Sequence, residues 1–364
     1  MYVATNGVAP APPVTVVVVS YNGGERTLRV LHALENQTTP LADILVVDNG
    51  STDGSQERIR TGFPGVTLLQ MAENRGLPAA RNAGLRQATT DLVLLLDHDV
   101  YVDPQCVARM LELYRERQPA VICPRVRLHP ERNVIQTDGA EAHFIGTMTL
   151  RGAGPTDAIS ADLPRSVPAC IGACMLVQRR LVLEAGGFDE LFFFYFEDHE
   201  FCLRLRSLGH DIVCEPRAVV YHERGAGTPG LSFRGRGAYP ARRLYFTVRH
   251  RLLTVLVHYN LRTLLVLAPA LGLYELAGGA LALAAGHGRQ WGNAWTWAFA
   301  NAGVIRERRR RMQRDRQVRD RDLLSGGPLP LAPGLVDKGA ARAAADVLSV
   351  ILQGYWHLTR RWVA

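Results

Sequence analysis

Val14-Thr15-Val16-Val17-Val18-Val19-Ser20-Tyr21-Asn22 decides how this chain folds. An apolar, β-branched run without polar alternation reads as a strand buried on both faces, and such strands belong to parallel sheets. Gly23-Gly24 follows, then a helical stretch over 25–36. The same unit recurs downstream. Residues 44–47 form a second apolar run ending in Asp48, with a helix expected around 53–60. Residues 66–71 read as a strand before a helix over 77–87, and 92–96 as a buried strand ending at Asp97. Pro104 marks the start of a helix continuing through 105–117. Alternation at this pitch predicts a doubly wound α/β domain. Ligands of such sheets bind beyond the carboxyl ends of the strands, so the polar residues that close each strand are the ones to read for chemistry.

The first strand closes in Ser20, Tyr21 and Asn22, the second in Asp48-Asn49-Gly50-Ser51-Thr52-Asp53, and the fourth in Asp97-His98-Asp99. A carboxylate such as Asp48 accepts hydrogen bonds from a base or a ribose. Asp97 and Asp99 suit a hard divalent cation that keeps waters and bridges phosphates. A single Asp here also reads as a cap or turn former, and Asp53 fits that description equally well. Two acids flanking one residue after an apolar run are costly unless a cation neutralises them. Competing nucleotide and hydrolase signatures are missing. No Gly-x-Gly-x-x-Gly follows the first strand, no Walker-type Gly-Lys-Ser/Thr occurs, and Gly-x-Ser-x-Gly is absent.

Further along, 120–165 is irregular, with a Gly/Pro/Asp loop at 152–164. A strand is expected over 173–177, a helix over 197–208, and short strands over 211–214 and 218–221. A glycine-rich loop is expected at 223–237. Six cysteines, none in Cys-x-x-Cys and most in apolar runs, read as buried reduced thiols. The first residues carry neither a basic n-region nor an apolar h-region, so no secretory leader is expected.

Taken in order, these segments resemble the family 2 glycosyltransferases. The resemblance spans residues 14–222. It is carried by 16–22, 46–53 and Asp97-His98-Asp99, and by the run from Asn74-Arg75-Gly76-Leu77-Pro78 through Arg81-Asn82-Ala83-Gly84. Gly186-Gly187-Phe188-Asp189-Glu190 leading into Phe196-Glu197-Asp198-His199-Glu200-Phe201-Cys202-Leu203-Arg204 completes it. The subgroup most similar is that of rhamnosyltransferases that build bacterial surface polysaccharides.

The resemblance implies a glycosyltransferase A-type fold, a Rossmann-like, mostly parallel sheet with flanking helices. It also implies a nucleotide-diphosphate sugar donor, with dTDP-rhamnose a candidate, a divalent metal (Mg²⁺ or Mn²⁺), and inversion at the anomeric carbon. Carried over by position, Ser20, Tyr21, Asn22 and Asp48 would hold the nucleoside, and Asn74 and Arg81 would line the same pocket. Asp99 would bind the metal, with Asp97 on the ribose or the metal. His222 resembles a histidine that completes the metal site in part of the family; it also reads as a strand-end residue without a ligand role. Asp198 resembles the general base that an acceptor hydroxyl requires, with Glu197 or Glu200 as alternatives. The family commonly has Asp where this chain has Glu200. As bare sequence, the three acids are ordinary helix-start residues.

Charge divides the chain. Its 364 residues, at about 150 per domain, allow one large domain or two. The net charge is +8. Residues 1–240 hold 23 basic and 27 acidic side chains, a net of −4; residues 241–364 hold 19 and 7, a net of +12. Only one basic residue is a lysine, Lys338, which reads as codon bias. The expected divisions are a loose lead-in at 1–13, a catalytic domain at 14–238, and a helical, basic and apolar region at 239–364.

The 24-residue apolar run 263–286 is long enough to cross a bilayer, which takes about 20 residues. Pro269 and Glu275 interrupt it, and arginines flank both ends. Residues 291–305 carry Trp291, Trp295 and Trp297, and 345–363 reads as another amphipathic helix. In-plane or re-entrant helices at the cytoplasmic face keep both basic flanks on one side, near anionic lipid. A single or double span, and a soluble helical subdomain, are the alternatives. No nucleic-acid-binding motif accompanies the basic tail, so nucleic acid is not an expected partner. The function expected is sugar transfer from a nucleotide-diphosphate sugar to a lipid-linked or cell-surface glycan. The alternative is a non-catalytic nucleotide-sugar-binding or membrane scaffold protein.

Overall fold

The computed structural model describes residues 11–155, 162–223, 239–330, 336 and 339–364. Most of the lead-in at 1–13, the centre of the loop at 152–164 and nearly all of the loop at 223–237 lie outside the described residues.

The N-terminal half begins with β1 (Val14–Ser20), α1 (Glu25–Glu35), β2 (Asp43–Asp48), α2 (Ser55–Gly62), β3 (Thr67–Gln70), α3 (Leu77–Gln87) and β4 (Leu92–Asp97). Then come β5 (Val100–Val102), α4 (Cys106–Arg117), β6 (Val121–His129), β7 (Val134–Thr137), β8 (Ala140–His143), β9 (Thr147–Leu150) and β10 (Gly154–Pro155). The half closes with β11 (Arg165–Ser166), β12 (Cys174–Gln178), α5 (Arg179–Glu184), α6 (Glu197–Ser207) and β13 (Ile212–Glu223). The main sheet has the order β10-β7-β6-β12-β4-β1-β2-β3. It is parallel across β4-β1-β2-β3, while β12 runs antiparallel between β4 and β6. All seven residues of β1 are buried. Val14, Val16 and Val18 pack with Val30, Leu31 and Leu34 of α1; Val17 and Val19 pack on the other face with Ala80 and Leu85 of α3. Two covered faces explain the unbroken valine run. Burial of each such side chain contributes about 1.5–3 kcal/mol. Gly84 lets α3 approach the sheet, since a Cβ there would meet a Val17 methyl at 2.3 Å.

The two short strands expected at 211–214 and 218–221 are one strand, β13. Its pairing with β6 shifts between Glu215 and Val219. Pro216 falls in that gap and cannot donate to a ladder, which is why the sequence reads as broken. All six cysteines are free and buried.

The C-terminal region is helical: α7 (Ala241–His258), α8 (Leu261–Ala284), α9 (Gly288–Ala300), α10 (Ala302–Asp315), α11 (Asp320–Leu323), the short β14 (Leu324–Ser325) and α12 (Gly339–Thr359). The aromatic run expected at 291–305 is thus split between α9 and α10, and the last helix starts before residue 345. β14 pairs with β8, forming a small sheet with β9. Trp356 stacks on Phe144 at 5.0 Å between ring centres. The two halves therefore share a core.

Of the described helices, α8 is the one long and apolar enough to cross a membrane. Glu275, read from sequence as an interruption, is turned inward. It pairs with the buried Arg251 of α7 and accepts from Trp295 Nε1 at 3.1 Å. On the outer side of α8, Leu261, Leu265, Leu273, Leu276 and Leu283 are exposed. Val347, Val350, Ile351 and Leu358 do the same on α12. These positions recur at helical spacing, so each helix presents an apolar stripe outward.

Candidate active site

The strand ends of β1 and β4, the start of α6 and the end of β13 meet at one cleft of about 650 Å³. β13 brings His222 there through pairing. It runs antiparallel to β5 with His222 opposite Val100, and Glu223 N–H donates to the Asp99 carbonyl at 2.9 Å. His222 Nε2 then lies 3.6 Å from Asp99 Oδ1. Gln136 Oε1 lies at hydrogen-bond distance, 2.9 Å, from His222 Nδ1. That contact orients the ring, as outer partners do for metal-ligating histidines. A carboxylate and an imidazole held this close would give a divalent cation two protein ligands. Among the described residues no three His, Cys, Asp or Glu side chains converge as a cation site. Such a cation would therefore depend on its substrate for further ligands.

Asp97, the other acid of the pair, is engaged elsewhere. Arg81 Nη2 donates to Asp97 Oδ1 at 2.9 Å and to the Gly172 carbonyl at 2.7 Å, and its Nη1 lies 3.5 Å from Glu197 Oε1. Arg81 is 1% exposed. It lines the cleft, as expected from sequence, and ties the end of β4 to the start of α6. A Cβ on Gly172 would fall 2.5 Å from that guanidinium. Burial raises the Asp97 pKa against the pull of Arg81.

The α6 helix begins after two left-handed residues, Tyr195 (φ 69°) and Phe196 (φ 67°). Bulky side chains rarely adopt this backbone, and such strain concentrates at functional sites. It is held from outside: His250 of α7 donates from Nδ1 to the Tyr195 carbonyl at 2.8 Å, and Leu77 N–H donates to the Phe193 carbonyl at 3.0 Å. The turn delivers Glu197 and Asp198 to the cleft. Asp198 Oδ2 accepts from Gly172 N–H at 3.1 Å and Oδ1 from its neighbour His199 N–H at 2.8 Å. Burial nevertheless raises the Asp198 pKa, so burial outweighs its hydrogen bonds. Burial, joined by the Asp198 charge, pushes Glu197 up to about 8.

Glu200 points the other way. It pairs with Arg204 at 2.8 Å and His258 at 3.2 Å. Although burial opposes ionisation there, Arg204 and His258 hold its pKa down at about 2. It is an interior ion-pair member, away from the cleft, and does not stand as an alternative base.

On the donor side, Tyr21 and Asn74 line the cleft. Three other residues read as nucleoside contacts are not among those lining it. The Ser20 hydroxyl bonds that of Thr27 at 2.9 Å. Asn22 Oδ1 accepts from Thr52 N–H at 2.8 Å. Asp48 is fully buried, with Oδ2 accepting from Ser51 N–H at 3.0 Å and Gln56 Nε2 at 2.6 Å. Sequence reasoning did not single out Asn49, whose Nδ2 donates to Asn74 Oδ1 at 3.1 Å. It also missed Arg26, Gln136, Tyr239 and Arg243, which line the same cleft. The polar character of Asn49 in the second strand's closing turn was the available signal; Tyr239 and Arg243 left none, because they lie past the last motif.

The profile of glycosyl transferase family 2 matches residues 15–185. An N-acetylglucosaminyl-diphospho-decaprenol L-rhamnosyltransferase of Mycobacterium tuberculosis is 28% identical over 236 residues, 58% of this chain and 76% of that protein. N-acetylgalactosaminyltransferase 6 of Drosophila melanogaster is 25% identical over 229 residues, 59% of this chain and 34% of that one. Among solved structures, GalNAc-T7 with UDP, GalNAc and Mn²⁺ superposes with a TM-score of 0.55 at 18% identity. That alignment covers 69% of this chain and about half (49%) of the other. With residues 15–185 matching glycosyl transferase family 2, the chain is a glycosyltransferase with the glycosyltransferase A-type fold.

Proposed function

We propose that this chain transfers a sugar, with inversion, from a nucleotide-diphosphate sugar to a lipid-linked glycan at the cytoplasmic membrane face. One juxtaposition carries this: the Asp99–His222 pair at a strand end and Asp198 at a helix start face a single cleft. Asp99 and His222 would hold a divalent cation, Mg²⁺ or Mn²⁺. When bound, that cation supplies charge neutralisation to the leaving diphosphate. Asp97 orients Arg81 and contributes its second oxygen to the ribose or the cation. Tyr21 and Asn74 position the nucleoside; Ser20, Asn22 and Asp48 support that wall through their own hydrogen bonds.

Asp198 accepts the proton of the acceptor hydroxyl as its oxygen bonds to the anomeric carbon and the bond to the diphosphate oxygen breaks on the opposite face. Burial makes Asp198 a stronger base than an exposed carboxylate. Glu197, pushed towards its neutral form, keeps Arg81 in place without adding a second negative charge.

The named activity of the mycobacterial relative favours rhamnose as the transferred sugar and an N-acetylglucosaminyl diphosphate lipid as acceptor; dTDP-rhamnose is the donor the sequence resemblance suggests. The apolar stripes of α8 and α12, beside a segment of net charge +12, favour in-plane attachment to an anionic membrane. The test is transfer by the full chain from a panel of nucleotide sugars, with Mn²⁺ or with EDTA. Disaccharide formation from dTDP-rhamnose that stops with EDTA is expected. Donor binding without turnover on any acceptor would sink the catalytic proposal, and an EDTA-insensitive rate would remove its metal.

A further inference from the structure

Residues 189–196 lead into the helix start that carries Asp198, and the C-terminal helices grip that segment in succession. Asp189 pairs with Arg308 of α10. Arg249 Nη2 donates to the Leu191 carbonyl at 3.3 Å. The Arg242 guanidinium carbon lies 5.5 Å from the Phe193 ring centre, and Phe246 stacks on the same ring at 5.7 Å. The last grip falls on the strained residues themselves, where His250 Nδ1 lies 2.8 Å from the Tyr195 carbonyl oxygen. A carbonyl only accepts, so that nitrogen carries the ring proton. His250 is 0% exposed and packs against Phe192 at 4.9 Å and Phe246 at 5.2 Å between ring centres. Burial, joined by the Arg249 charge, pushes its pKa down to about 3, so the imidazole stays neutral. A neutral ring has one N–H, and Nε2 has no hydrogen-bond partner among the described residues. The ring's single donor therefore faces the turn.

Tyr195 and Phe196 both take positive φ, 69° and 67°, and Phe196 is the residue from which α6 starts. Neither is glycine, so their surroundings must impose this backbone. A turn relaxing towards ordinary φ would re-aim the first turn of α6, and Asp198 with it. We infer that His250 is a positioning residue for sugar transfer: through the Tyr195 carbonyl it fixes the left-handed turn and so holds Asp198 on the acceptor hydroxyl. This rests on the function proposed above, with Asp198 as the base. His250 itself is not among the residues lining the cleft, so it acts through the turn and not on the substrate. The helical C-terminal region thereby takes part in the chemistry, beyond attachment to a membrane.

The test uses the full chain with Mn²⁺, dTDP-rhamnose and N-acetylglucosaminyl diphosphate on a short polyprenyl chain. His250→Phe keeps the aromatic packing and removes the donor. His250→Asn loses packing but places its amide nitrogen where Nδ1 stood. If His250 only fills space, His250→Phe turns over faster than His250→Asn, in step with melting temperature. Positioning gives the reverse order. In His250→Phe kcat should fall by about 10- to 100-fold with donor KM unchanged, while His250→Asn keeps more of kcat although it melts lower. If His250→Phe does not fold, His250→Gln takes its place, because its amide nitrogen reaches the Nε2 position and misses the carbonyl. Its kcat should lie about tenfold below that of His250→Asn. A kcat that follows melting temperature, a wild-type kcat in His250→Phe, or equal kcat in His250→Asn and His250→Gln overturns the inference. So does a rise in donor KM with kcat kept. Asp198→Asn is run alongside: normal transfer by that variant, or no transfer by wild type, overturns the proposed function instead.

Discussion

The two sides of α6 show what one turn of helix can do with the same chemical group. On the cleft side, buried Glu197 and half-buried Asp198 stand side by side, with Arg81 set against three acids, Asp97, Glu197 and Asp198, and desolvation raises the pKa of both cleft acids. On the back, Glu200 is as buried as Glu197 but faces two partners, Arg204 and His258, which hold its pKa at about 2. The difference is partner supply, not burial. Too little positive charge leaves a carboxylate basic enough to take a proton; enough of it makes a structural ion pair. The comparison assigns catalysis to one side and stability to the other.

Asp198→Asn should have the largest effect. The amide preserves shape and removes the base, so kcat should fall by about 10²- to 10⁴-fold. Because burial raises the Asp198 pKa, the acid limb of the wild-type kcat/KM profile should lie above the usual carboxylate range. A limb near pH 4, or normal transfer by the variant, would break the assignment. Asp99→Ala should follow, with a loss that added Mn²⁺ only partly reverses; titrating Mn²⁺ against rate reads this directly. A wild-type metal dependence in that variant would remove Asp99 from the metal site.

Glu200→Gln should leave the cleft chemistry nearly intact and lower stability instead. Breaking one side of a buried pair costs about 3–5 kcal/mol, because Arg204 is left without its counter-charge. A pKa held below its unfolded value contributes stability that is present above about 4.5 and lost as pH falls towards about 2. The melting difference between wild type and variant should therefore shrink across that window. A variant that melts normally but does not turn over would reverse the comparison.

Much of this was legible in the residues before any coordinates. The valine run of β1 and the acids closing β2 and β4 follow from local patterning, since a strand covered on both faces must be apolar throughout and polar where it ends. Asp198 was legible through its motif. What decides its chemistry was not. Arg81 lies more than a hundred positions from Glu197, and His258, which holds Glu200 down, lies on α7 beyond every motif. The same is true of Glu275. Inside an apolar run it reads as a fault in a membrane segment, and only the fold supplies Arg251 and Trp295. Periodicity reports which face is covered; it does not report which distant cation covers a charge.

The smallest effect, and the sharpest on the cleft side, belongs to Glu197→Gln. Burial and the Asp198 charge push the Glu197 pKa to about 8, so at pH 7 its carboxyl is largely protonated. Glutamine reproduces that neutral form in size and hydrogen-bonding ability. Transfer at pH 7 should accordingly fall by less than about tenfold, far short of the loss of a general base. Stability carries the opposite sign from Glu200. A carboxyl whose folded pKa is raised contributes stability that is fully present below its unfolded pKa of about 4.5 and lost as pH rises through about 8. Glutamine does not titrate and escapes that loss. Melting temperatures measured from pH 5 to pH 9 should therefore show the variant gaining on wild type as pH rises, while Glu200→Gln keeps its deficit over the same range. A flat difference would mean that Arg81 neutralises an ionised Glu197 after all, and the two sides of α6 would then differ in position but not in charge.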